Sequence, residues 1–193
     1  MKTSRSKFFF AGSAPLVATG VSCSKSDRPL SLFDRDSLAN CEIESGGQFA
    51  VEGGVLKANK VTGWVCSKSS YSDFRLVMEF RFLEEGANSG VFVRTGPTSI
   101  DDENGWPENV YQIQCRNTLE RDYTMGLLIP YGAPAFESET DMEALRAAYK
   151  PTGQWRTFDI ECVGEEIRIS VNGSLFTSAS HIKNLVGHIG IQG

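Results

Sequence analysis

Three stretches of this chain set polar side chains among strand-forming apolar ones. ANSGVFVR (87–94) opens on Asn88-Ser89-Gly90 and closes on Arg94, DFRLVMEFRF (73–82) holds Glu79 and Arg81, and VYQIQCR (110–116) holds Gln112 and Gln114. A carboxylate such as Glu79 can move a proton, and glutamine and asparagine amides each offer both donors and acceptors. Arg94, following Val91-Phe92-Val93, must either snorkel to water or point into a cleft. Glu, Arg and Gln lining one concave sheet face would suit a hydroxyl-rich ligand. The same alternation would also arise on a plain solvated outer face.

The elements that must position these residues are short strands. Successive side chains on a strand point to opposite faces. Phe74, Leu76, Met78, Phe80 and Phe82 therefore share one face, with Arg75, Val77, Glu79 and Arg81 on the other. Likewise Tyr111, Ile113 and Cys115 oppose Gln112, Gln114 and Arg116. Strands are expected at 30–33, 41–44, 48–51, 54–58, 63–68, 73–83, 90–95, 110–116, 125–129, 155–163, 166–172, 174–178 and 187–192. Asn172-Gly173 and EGGV (52–55) mark hairpin turns. One helical insertion is expected near 139–150, with Thr140 as N-cap, Glu143 completing a capping box, and Pro151 as the stop; it would be a lid or a decoration. Many short strands with glycine-rich turns point to an all-β protein, a two-sheet sandwich or jelly roll.

The 193 residues suffice for one domain with a sizeable core. A formal charge of −5 disfavours a nucleic-acid partner, because no basic stripe offsets phosphate repulsion. Residues 1–22 read as an export signal: Lys2, Arg5 and Lys7 precede an uncharged run from Phe8 to Ser22. Cys23 after Gly20-Val21-Ser22 resembles a lipoprotein cleavage site, which makes it a candidate for lipidation, and 23–29 read as a tether. The expected location is outside the cytoplasm, periplasmic or membrane-anchored, touching the membrane only through a lipid on Cys23. Cys41, Cys66, Cys115 and Cys162 form no C-x-x-C pair, so zinc is disfavoured and buried thiols are favoured over disulfides. No cofactor is identified. Asp101, Asp102 and Glu103 could hold calcium, although their spacing does not match an EF-hand loop. Trp106, in a loop, could stack on a ring; Tyr111 has core parity, and Trp64 and Trp155 read as core. The oligomeric state is left open.

SLFDRDSL (31–38), GWVCSKSSYSDFRLVMEFRF (63–82), NSGVFVR (88–94), YQIQ (111–114), KPTGQW (150–155), ISVNG (169–173) and GHIGIQG (187–193) resemble, in this order, the 3-keto-disaccharide hydrolase domain family. The resemblance implies a concanavalin A-like jelly roll over 30–193 that handles sugars on a concave face. Position by position it implies site roles for Glu79, Asn88, Ser89, Gly90, Arg94, Gln114 and Gln192. Gly90 would let the backbone approach closely or mark a tight turn. Three departures stand out: Gln112 replaces the usual glutamate of Tyr-Glu-Val-Gln, Gln154 and Arg156 replace glutamate and asparagine, and the sequence stops at Gly193 where relatives continue into a final strand, as expected either of a fragment or of a chain without that strand.

Ordinary glycosidases need two carboxyl groups flanking the bond, and this chain offers Glu79 with Asp159 and Glu161 as poorer partners. A 3-keto sugar needs only one general base, because the ketone acidifies the neighbouring C2 hydrogen. The resemblance thus leads to an exported hydrolase or lyase of 3-keto glycosides and disaccharides. Glu79 would be its base and Arg94 its ketone partner, with Asn88, Ser89, Gln112, Gln114, Gln192 and Trp106 binding substrate. A structural Glu79–Arg94 ion pair, and a non-catalytic lectin-like module on a lipoprotein, are the alternatives.

Overall fold

The structure is a computed structural model that describes residues 8–11, 16–17, 30–33, 37–58, 62–99 and 105–193. Its strands are β1 (Phe8–Ala11), β2 (Leu16–Val17), β3 (Cys41–Glu44), β4 (Phe49–Glu52), β5 (Val55–Ala58), β6 (Trp64–Ser67), β7 (Phe74–Phe82), β8 (Asn88–Thr95), β9 (Val110–Arg116), β10 (Leu128–Tyr131), β11 (Glu137–Thr140), β12 (Arg156–Val163), β13 (Glu166–Val171), β14 (Ser174–Ser180) and β15 (His188–Gln192), with one helix, α1 (Met142–Ala148). Among the described residues they form two antiparallel sheets packed as a jelly-roll sandwich. A nine-stranded sheet runs β11-β14-β13-β12-β7-β1-β5-β4, with β2 also on β7, and a six-stranded sheet runs β10-β9-β8-β15-β6-β3. Among the described strands the chain passes from sheet to sheet at β2–β3, β3–β4, β5–β6, β6–β7, β7–β8, β10–β11 and β14–β15.

Alternation sets the core. Phe74, Leu76, Met78, Phe80 and Phe82 of β7 face inward, where they meet Val91, Val93, Tyr111, Ile113 and Cys115 of the opposing sheet. Each fully buried phenylalanine contributes about 2–3 kcal/mol through area removed from water. Tyr111 satisfies its hydroxyl by donating to the Pro134 carbonyl at 3.1 Å. The expected hairpin turns form where φ must be positive: Asn172 and Gly173 at +49° and +86°, Gly53 and Gly54 at +59° and +80°.

Three expectations shift. The helix starts later, because the Asp141 carboxylate, not Thr140, caps it by accepting from the Glu143 and Ala144 amides at 3.0 and 2.9 Å. Thr140 instead ends β11, a polar edge strand with no apolar alternation to betray it. The helix packs on β14 and puts Leu145 into the core, closing the sandwich rather than covering a sheet face. The nine-stranded sheet also recruits part of the segment read as a leader: β1 pairs with both β7 and β5. Cys23 and Asp101–Glu103 lie outside the described residues.

Buried arginines tie elements together at two places. Arg156 donates to the Gln154 and Pro151 carbonyls at 2.9 and 3.0 Å, and to Asn117 Oδ1 at 2.9 Å. Its guanidinium lies 4.9 Å from the Phe82 ring centroid, and burial lowers its pKa. Arg94 makes the second such knot.

Candidate functional site

The polar strand faces do not meet in one hollow. Glu79 is exposed on the outer face of the nine-stranded sheet, in register with Thr157. Asp159 and Glu161 share that face, and Asp159 is held there by a bidentate bridge from Arg75, with Nε to Oδ1 at 2.8 Å. Arg94 belongs to the other sheet, and Gln112, Gln114 and Gln192 point outward from that sheet. The ~10 Å thickness of a sandwich core separates the two exteriors. Glu79, Asp159 and Glu161 are therefore not partners of the amides, and Glu79 and Arg94 form neither a catalytic pair nor an ion pair.

Arg94 is also diverted from the cleft. By parity it should share a face with Gly90 and Phe92, but its φ of +53° breaks the alternation beside a register shift between β8 and β15. The side chain is buried and caps one end of the sandwich. It donates to the Ser72 carbonyl at 3.2 and 3.0 Å, the Gly164 carbonyl at 2.6 Å and the Asn184 carbonyl at 3.3 Å, with Asp73 Oδ1 at 3.5 Å. Ser89 points inward as well, donating to the Gln192 carbonyl at 2.7 Å. Both residues hold the scaffold and do not face a ligand on the six-stranded sheet.

What the fold does bring together is a cluster of amides centred on Gly90. In register, Gly90 lies opposite Gln114 on β9; on its other side the Val91–Ile191 pairing puts Gln192 beside it. Gln112 bends across the glycine: a Cβ there would lie 2.8 Å from the Gln112 Cδ and Cγ. The close approach expected at Gly90 is thus that of a side chain. Gln112 Nε2 donates to Oε1 of both Gln114 and Gln192, each at 3.1 Å. Gln112 is 1% exposed, and its Oε1 has no hydrogen-bond partner among the described residues. Asn88, on the same face two residues from Gly90, likewise carries a buried Oδ1 without a partner among them. Unsatisfied buried acceptors cost about 1–3 kcal/mol each unless something docks on them.

Beside the amides runs a row of rings. Trp64 and Phe92 are 5.7 Å apart edge-on, Phe92 and Trp106 6.2 Å, and Trp106 and Tyr131 5.0 Å. Trp64, expected in the core, sits on this outer face; its indole donates to Ser99 Oγ at 2.8 Å, and Gly190 makes room for its ring. Its strand is buried on both faces, which hides the alternation from which its direction could be read. Trp106 is half-buried and Tyr131 partly exposed, so both present ring surface at the rim. Tyr131 and the β3 carboxylates were missed at the sequence level. Register places Glu42 and Glu44 on this face, opposite Cys66 and Trp64. Burial, with the charges of Cys41, Glu44 and Glu42 behind it, pushes the Cys66 thiol up to about 12. Cys41, Cys66, Cys115 and Cys162 are all free.

Residues 29–193 match the 3-keto-alpha-glucoside-1,2-lyase-like domain. The chain belongs to this family. Membership makes the lyase-like domain a carbohydrate-related protein, and an outward face of neutral amides and rings fits that class. Two solved structures from Parabacteroides distasonis, each described as a candidate glycosyl hydrolase, share the fold. One superposes with a TM-score of 0.60 at 23% identity, covering 84% of this chain and 89% of its own. The other gives 0.58 at 15% identity, covering 83% and 85%. A search of curated proteins gives no match.

Proposed function

We propose that this lyase-like domain cleaves 3-keto glycosides or disaccharides on the outer face of its six-stranded sheet. The amide cluster around Gly90 carries the reading, because buried amides with open acceptors suit an uncharged, hydroxyl-bearing ring. Gln112, Gln114, Gln192 and Asn88 grip the sugar, and Trp106 stacks on it. The base takes the C2 proton, the C–H electrons form an enolate onto the C3 oxygen, and collapse of the enolate expels the C1 oxygen. Water adding at C1 of the resulting enone makes the outcome hydrolysis; without it the reaction is a lyase elimination. Of the two β3 carboxylates on this face, Glu44 is the proposed base, being half-buried where Glu42 is exposed, and in line with Trp64 and Gln192 across the sheet. Incubation with a 3-keto glucoside tests this: aglycone release is expected from the native protein and not from Glu44→Gln.

A second reading, a non-catalytic glycan-binding module, is favoured by the neutral Gln112 at the centre, where the family resemblance places a carboxylate. Saturable binding of the same glucoside without aglycone release would select it, and absence of both would leave a scaffold. Export is part of the proposal, on the pattern of residues 1–22 and Cys23. A lipid-sized mass increase on Cys23 in the membrane fraction is its test.

A further inference from the structure

We propose that the end of the amide face beside Gln114 binds a carboxylate, with Arg116 as its anchor, so that the preferred ligand is an acidic sugar of the uronic acid class. The inference rests on the amide face being the sugar site.

Arg116 ends β9 and shares a face with Gln112 and Gln114, because no register shift interrupts the ladder between β8 and β9. Asn88 is its register partner, as Gly90 is that of Gln114. Two residues of strand put Arg116 about 7 Å beyond Gln114, a distance that one sugar ring with its C6 substituent can bridge. This arginine lacks a protein acceptor. Arg94 and Arg156 commit their donors to carbonyls, and Arg75 is bridged to Asp159. Arg116 makes no hydrogen bond or ion pair among the described residues. Its half-buried guanidinium lies 5.4 Å from the centroid of the Tyr123 ring. Stacking orders the planar fork while the N–H groups along its edge stay open, and such a fork takes a carboxylate through two parallel hydrogen bonds.

The surroundings leave that charge available. Glu42 and Glu44 of β3 stand four strands away, about 19 Å, beyond the ~8 Å screening length at physiological salt. Glu120 and Asp122 flank Tyr123 on an exposed turn, and neither bonds the guanidinium. Asn88 adds a buried Oδ1 without a partner among the described residues, an acceptor left for a hydroxyl. One ring therefore meets two environments. Its keto edge lies on the neutral amides of Gln112, Gln114 and Gln192, and its C5 substituent reaches Arg116. A hydroxymethyl group there leaves the guanidinium unpaired, whereas a carboxylate pairs it.

Methyl 3-keto-glucoside and methyl 3-keto-glucuronide, which differ only at C6, are the probes. They are compared by calorimetry, or by KM where the probe is turned over, on the native protein, Arg116→Met and Arg116→Lys. The native protein is expected to bind the glucuronide about tenfold more tightly at low salt, with a preference that shrinks as salt is added. Arg116→Met should bring the ratio to about one, and Arg116→Lys should keep only part of it, because a point charge does not reproduce the two-bond fork. A native ratio of one or below, or a preference that survives Arg116→Met, overturns the carboxylate subsite and leaves the sugar site standing. Failure of the native protein to bind either probe overturns the amide face as the site. Circular dichroism of both variants separates these outcomes from misfolding.

Discussion

Replacing Arg94 by methionine separates scaffold from chemistry at the residue for which the sequence suggested chemistry. The substitution strips donors from the Ser72, Gly164 and Asn184 carbonyls. Hydrogen bonds from a charged group are worth about 1.5–3 kcal/mol, and an orphaned buried acceptor costs about 1–3 kcal/mol. Removing one side of a buried polar network costs about 3–5 kcal/mol. The ionic contact with Asp73 adds little, because that carboxylate is 40% exposed at 3.5 Å. A loss of about 4 kcal/mol takes a large share of the ~5–15 kcal/mol available to a domain. With a urea slope of about 2 kcal/mol per molar, the unfolding midpoint should fall by about 2 M. Arg94→Lys should recover less than half of this, since one ammonium cannot span three carbonyls. Urea melts followed by tryptophan fluorescence measure the shift, and sugar binding is measured below the transition. A midpoint within about 0.5 M of the native one, or lost binding with an unmoved midpoint, would refute the clamp.

Glu79→Gln, on the wrong exterior for the amide site, should leave sugar binding or turnover unchanged and stability within about 0.5 kcal/mol. Lost turnover in a folded variant would return this carboxylate to the mechanism. Trp106→Ala should weaken sugar binding about fivefold through lost ring contact, read by calorimetry, with little change in the melt. The buried thiols give a pH signature. Burial raises Cys66 and Cys162 from 9.0 to about 12 and raises Cys115 as well. The unfolded chain then releases these protons first, so stability should fall as pH rises from about 9 toward 12, up to about 1.4 kcal/mol per pH unit per thiol. Urea midpoints at pH 8 and pH 10.5 check the sign. The same thiols should resist alkylation at pH 8 until denaturant is added.

Period-two alternation fixed the fold in advance for most strands, because an inward face must be apolar wherever two sheets pack. It gave Phe74 through Phe82 their side, Tyr111 its core position, and Gln112 and Gln114 their outward one. Asn172-Gly173 specified its hairpin through positive φ alone. These are local properties, decided by a residue and its near neighbours. Alternation could not say which outward faces meet: Glu79 and Gln114 both point away from a core, yet toward opposite exteriors, and only strand order assigns each to its sheet. Nor could it foresee the bulge that turns Arg94 from the cleft into a clamp, since that follows from pairing with β15 almost a hundred residues away. The tyrosine at the rim and the glutamates of β3 enter the site for the same reason. Their placement depends on long-range register, a property of the assembled sheet.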